Sequence, residues 1–80
     1  MITPAQCRGA RALLDWSQQQ LAESAKVGVV TVRQFEGAAA HPRNATLDVL
    51  RRAFEKAGVV FLEAGALVDG GPGVRLRNKI

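Results

Sequence analysis

Apolar positions along the first 57 residues recur at steps of three and four, and four separate runs of this kind predict four helices. Cys7, Ala10 and Leu14 share one helical face with Leu13 beside them, while Arg8 and Arg11 lie on another, giving a first helix over 4–14. Thr3-Pro4-Ala5-Gln6 marks its start, since threonine caps, proline suits the first helical position and glutamine three residues after the cap completes a capping box. Asp15-Trp16-Ser17 breaks the run. Ser17 and Gln20 repeat the capping-box spacing, so a second, short helix runs from Gln18 to about Ala25 with Leu21, Ala22 and Ala25 inward.

Lys26-Val27-Gly28 is a tight connection in which Gly28 takes a positive φ or serves as a weak N-cap. A third helix follows over about 29–36. Val32 and Phe35 are its core pair, which leaves Val29, Val30, Arg33 and Gln34 closer to the outer face. Gly37 ends this helix and Pro42 blocks its continuation. Asn44 is placed to cap a fourth helix over about 45–57, where Leu47, Leu50, Phe54 and Ala57 form an amphipathic stripe closed by Gly58.

The pattern then changes. Val59-Val60-Phe61-Leu62-Glu63 is β-branched and aromatic, and Val74-Arg75-Leu76-Arg77 alternates apolar with basic, so both read as short strands. The glycines and proline between them make a loop. Two strands alone are barely stable in water. They need the helices behind them, as a hairpin packed on helix 4, or strands of a second subunit beside them.

Composition narrows the function. The chain has 80 residues and a net charge of +4, favouring an acidic partner such as nucleic acid or, as the alternative, an anionic membrane surface. A domain of this size has a marginal core and gains from pairing with a copy of itself. The single cysteine, Cys7, forms no internal disulfide and reads as a packing residue. With one cysteine and one histidine, His41, neither a metal site nor another cofactor is expected. The start, Met1-Ile2-Thr3-Pro4, lacks the pattern of a signal peptide, and no run approaches the ~20 apolar residues of a membrane span. The expectation is a soluble cytoplasmic protein. Neither a nucleophile with a base at useful spacing nor a glycine-rich phosphate loop after a strand is present, so an enzyme is not expected.

Two short helices joined by a tight, glycine-containing turn are the helix-turn-helix pattern. The run WSQQQLAESAKVGVVTVRQFEGAAAHPRNATLDVLRRA resembles the lambda-repressor-like family of XRE or Cro/repressor type. The resemblance is carried by Ser17-Gln18 and Leu21-Ala22 in helix 2, Val27 in the turn, Thr31-Val32 and Phe35-Glu36 in helix 3, and Thr46-Leu47 in helix 4. The ending GGPGVRL is similar to that of many small bacterial regulators. The resemblance implies a mainly α fold, a four-to-five-helix domain over 1–58, followed by a β extension over 59–80 that is a strand pair or a dimerisation element. It further implies a cytoplasmic transcription regulator or repressor, binding double-stranded DNA as a homodimer on a near-palindromic operator. Helix 3 would enter the major groove.

Residue by residue, the resemblance places Gln18 near a phosphate or base, Val29, Val30, Arg33 and Gln34 toward the groove, and Arg43 and Asn44 near the backbone. Val59, Phe61, Val74 and Leu76 are the candidates for dimerisation. One departure stands out. Gly28, Val29 and Val30 occupy positions that are usually polar in the family. Valines offer no bidentate hydrogen bonds, only contact with a thymine methyl. The alternative expectation is a protein-binding module on the same fold, an anti-activator or antitoxin, with the apolar helix against a partner.

Overall fold

Both predicted capping boxes form. In the computed structural model, which describes residues 2–66 and 69–77, Thr3 Oγ1 accepts from Gln6 N at 3.0 Å and Gln6 Oε1 accepts from Thr3 N at 2.9 Å. Helix α1 spans Pro4–Leu14. The same exchange between Ser17 and Gln20, at 3.0 and 2.7 Å, starts α2 over Gln18–Ala25. These closures satisfy N–H groups that a helix start otherwise leaves orphaned.

Helix α3 spans Val29–Glu36 and α4 spans Asn44–Lys56. Two short strands, β1 at Val59–Leu62 and β2 at Gly73–Leu76, pair antiparallel within the chain. The result is a mainly helical fold of four helices and a two-stranded sheet among the described residues. None of these helices is long and apolar enough to cross a membrane.

One helix end settles an open alternative and two depart from the expected chemistry. The left-handed residue after α2 is Lys26 at φ 58°, whereas Gly28 lies at φ −72° as the N-cap of α3. After α3 it is Ala38 at φ 57°, one residue beyond Gly37. The residue flanking α4 is Arg43, with no side-chain cap bond, and Asn44 is already helical. The first two ends share one hydrogen-bond pattern. Val27 N donates to Ala22 O at 3.0 Å and Ala39 N to Gln34 O at 2.8 Å, each closing five residues back across the left-handed position. Asp15, at φ 55°, ends α1 in the same way, with Trp16 N on Arg11 O at 2.9 Å.

One core draws buried residues from the four helices and β1, and β2 packs against it. Cys7 and Ala10 of α1, Leu21 and Ala22 of α2, Val32 and Phe35 of α3, Leu50 and Phe54 of α4, and Val59 of β1 are buried in it. Leu47 packs on its margin, but Ala57 and Leu13, expected inside, are exposed. The sheet alternates as the pattern required: Val59 faces Leu76 and Phe61 faces Val74, all toward the core, while Arg75 is exposed.

Two residues of α1 hold the sheet. A Cβ on Gly9 would lie 3.3 Å from Val74 Cγ2, so glycine permits the close approach of helix and strand. Gln6 Nε2 donates to Leu62 O at 3.2 Å and to Gly73 O at 3.0 Å, tying the loop ends of both strands to the helix.

Candidate functional site

The α2–α3 connection sets the orientation of α3. After the left-handed turn at Lys26, the chain re-enters helix at Val29 with Gly28 as its cap. Val32 and Phe35 bury the inner face of α3 against the core. Residues 30, 33 and 34 are separated by helical steps of three and four, so they share the opposite face. Val30 is 51% exposed, and Arg33 and Gln34 are exposed too. Among the described residues Arg33 has no ion pair and Gln34 no side-chain hydrogen bond. Their donors are free for another molecule.

The remaining candidates divide. Val29 is half-buried and packs against the core. Arg43 and Asn44 are exposed at the start of α4, across the loop from α3. Gln18, half-buried, is engaged: its Nε2 donates to Glu36 Oε1 at 3.1 Å. Of the four residues assigned to dimerisation, Val59 is wholly inside the core at 0% exposure. Phe61, Val74 and Leu76 are half-buried and packed against it.

Gln18 leads to a group that periodicity did not single out. Glu36 is 4% exposed and lies where three helices meet. Arg11 Nε and Nη2 reach its two carboxylate oxygens, each at 2.7 Å, in a bidentate fork. Cys7 Sγ donates to Oε2 at 3.1 Å. Arg8 Nη1 donates to the Glu36 main-chain carbonyl, and Arg11 Nη1 donates to Trp16 O at 3.0 Å. The carboxylate thus ties α1 and α2 to the last turn of α3.

Burial by itself would raise the Glu36 carboxyl. Hydrogen bonds from Arg11, Gln18 and Cys7, with the charge of Arg11, more than reverse this and hold it below the usual glutamate range. The same hydrogen bond raises Arg11. Burial, then the Glu36 carboxylate, pushes the Cys7 thiol well up, so Cys7 is a neutral donor here and a poor nucleophile. The signal for this cluster was faint. Arg8 and Arg11 stood off the apolar face of α1, and Glu36 followed the core residue Phe35, but the partners lie 18 to 29 residues from it. Only the packed helices bring them together.

No protein-family model matches this chain, and no curated protein matches it.

Proposed function

We propose that the protein is a sequence-specific DNA-binding transcription regulator of the lambda-repressor-like helix-turn-helix type, with α2 and α3 as the two helices of the motif. The observation that carries this reading is the two-sidedness of α3. Its inner face is held by Val32, Phe35 and Glu36, while Val30, Arg33 and Gln34 stand exposed with unengaged donors. A rigidly seated helix with one free face is what major-groove insertion requires. Arg33 and Gln34 supply the polar contacts, to a guanine, an adenine or a phosphate, and Val30 supplies apolar contact with a thymine methyl. Arg43 and Asn44 contact the backbone. Gln18 is tethered by Glu36 at the start of α2, where a phosphate would lie.

The regulator acts as a homodimer on a near-palindromic operator, with two copies of α3 in successive grooves. Its net charge of +4 supports attraction to DNA. The test is binding of the purified chain to DNA from just upstream of its own gene, beside an unrelated duplex, at two salt concentrations. Preference for the first duplex that weakens with salt is expected. Arg33→Ala should weaken it by about 1–3 kcal/mol, roughly 5- to 150-fold, with the helical signal unchanged. Undiminished affinity in this variant would overturn the assignment of α3.

A second reading rests on Val30, at 51% the most exposed large apolar side chain among the described residues. On that reading α3 docks on a partner protein. Binding then depends little on salt, and Val30→Asp abolishes it while Arg33→Ala does not.

A further inference from the structure

A groove away from the free face of α3 has a different chemistry. It runs between the C-terminal end of α2 and the outer side of α4, and consists of two adjoining depressions of about 230 and 220 Å³ that share Ser24, Ala53 and Lys56. Val49, Arg52, Ala53 and Lys56 follow at helical steps of three, one and three, so they form one stripe on α4. Val49 is 38% exposed and, with Ala53 and Ala25, makes the floor. Trp16 closes one end, its ring stacked on Phe54 at 5.9 Å.

The rim is cationic. Lys26, at the end of α2, and Lys56, on α4, are exposed and have no carboxylate within 4.0 Å among the described residues. Arg52 holds Asp48 at 2.9 Å, but both side chains are largely in water, where such a pair is weak and easily exchanged. An apolar floor below unpaired cations is complementary to an amphipathic helix whose apolar anchors are flanked by carboxylates. A second copy of a chain with net charge +4 would bring like charge to this rim. A phosphate backbone would use the cations and leave the floor unfilled. We infer that this groove is a docking surface for an acidic amphipathic helix of another protein. The inference stands apart from the reading of α3 as a DNA-binding element.

The test selects displayed random peptides of about 15 residues, long enough to form helix on a surface, against the full chain. An enriched peptide is then titrated while the emission of Trp16, the single tryptophan, is followed. Enriched sequences should carry Asp or Glu beside Leu, Phe or Trp at spacings of three and four, and binding should shift the emission. Lys26→Glu combined with Lys56→Glu should weaken binding roughly tenfold or more. Val49→Asp, which spoils the floor, should do the same. Arg75→Glu combined with Arg77→Glu changes the net charge equally at exposed positions outside the groove and should leave binding intact. Enrichment of peptides without acidic residues, or no enrichment at all, would overturn the inference. So would equal weakening by both charge-reversal pairs. Loss of duplex DNA binding in the lysine pair, with no peptide enriched, would assign the rim to nucleic acid instead.

Discussion

The junction of α1, α2 and α3 is ionic, built on one buried carboxylate, whereas the junction of α4 with the strands is aromatic and buries no carboxylate, its one charge being Arg51 on the outer side of the Phe61 ring at 5.8 Å. In the first, Glu36 is forked by Arg11 and joined by Cys7 and Gln18. In the second, Phe54 stacks on Trp16 at 5.9 Å and meets Phe61 edge-on at the same distance, with Val59 beneath. The two differ in what they demand. Apolar packing is tolerant of direction and proportional to area buried. A buried ion pair is directional, costs desolvation, and fixes the relative placement of the helices that carry it. On the proposed function, the directional junction sits behind the helix whose orientation matters most.

The largest effect is expected at the aromatic junction. Phe54 has no exposed surface, and truncation to alanine removes contacts to both neighbouring rings and leaves a cavity. Phe54→Ala should cost about 3–5 kcal/mol, measured by urea denaturation. A chain of this length has roughly 4–12 kcal/mol to lose, so a large share of its stability depends on this ring. The loss should be the same in mildly acidic and neutral buffer, because no titrating group is involved.

Glu36→Gln should come next, at about 3 kcal/mol near neutral pH, since Arg11 is partly exposed and recovers some hydration. Its signature is the pH dependence. The Glu36 carboxyl is held below its ordinary value of about 4.5 in the folded state. Its contribution is therefore fully present above that value. It fades as pH falls below the ordinary value and through the lower folded-state value. The difference between the parent and Glu36→Gln should shrink over that window while the Phe54→Ala difference persists. A pH-independent Glu36→Gln difference would mean that the carboxylate acts as a packing group.

The two junctions were unequally legible in the sequence. The aromatic one follows in part from local patterns: the 3.6-residue stripe through Leu50 and Phe54, then a β-branched and aromatic run that reads as a strand, with its packing on helix 4 or on a second subunit left open. Helix starts were equally readable, because capping boxes act over three residues. The ionic junction was not readable, since a charge at a helix end reads as solvated until three helices close around it. On the candidate site, periodicity separated Val30, Arg33 and Gln34 from Val32 and Phe35. It placed Val29 outward as well, where the structure has it half-buried on the core margin. Helix ends were harder to read for another reason. Gly28 was open to a positive φ or an N-cap role and takes the second, while hydrogen bonding back across the turn holds Lys26 and Ala38 in the left-handed conformation.

The smallest expected effect lies at the last of these positions, on the end of α3 that the ionic junction anchors. A left-handed backbone costs an L-residue roughly 1–2 kcal/mol, because its Cβ crowds the following carbonyl. Ala38 sits at φ 57° and is exposed, so its methyl group has little packing to lose. Ala38→Gly removes the crowding but adds freedom to the unfolded chain, which offsets part of the gain. A net stabilisation of about 0.5–1 kcal/mol is expected, seen as a higher urea midpoint at unchanged slope. The neighbouring Gly37 has an ordinary φ of −85° and owes nothing to the left-handed region. If the junction at Glu36 alone fixed the end of α3, relieving the turn two residues later would leave the midpoint where it was. A rise would show that the ionic junction holds α3 against a strained exit, and that the strain is separable from the face proposed to meet DNA.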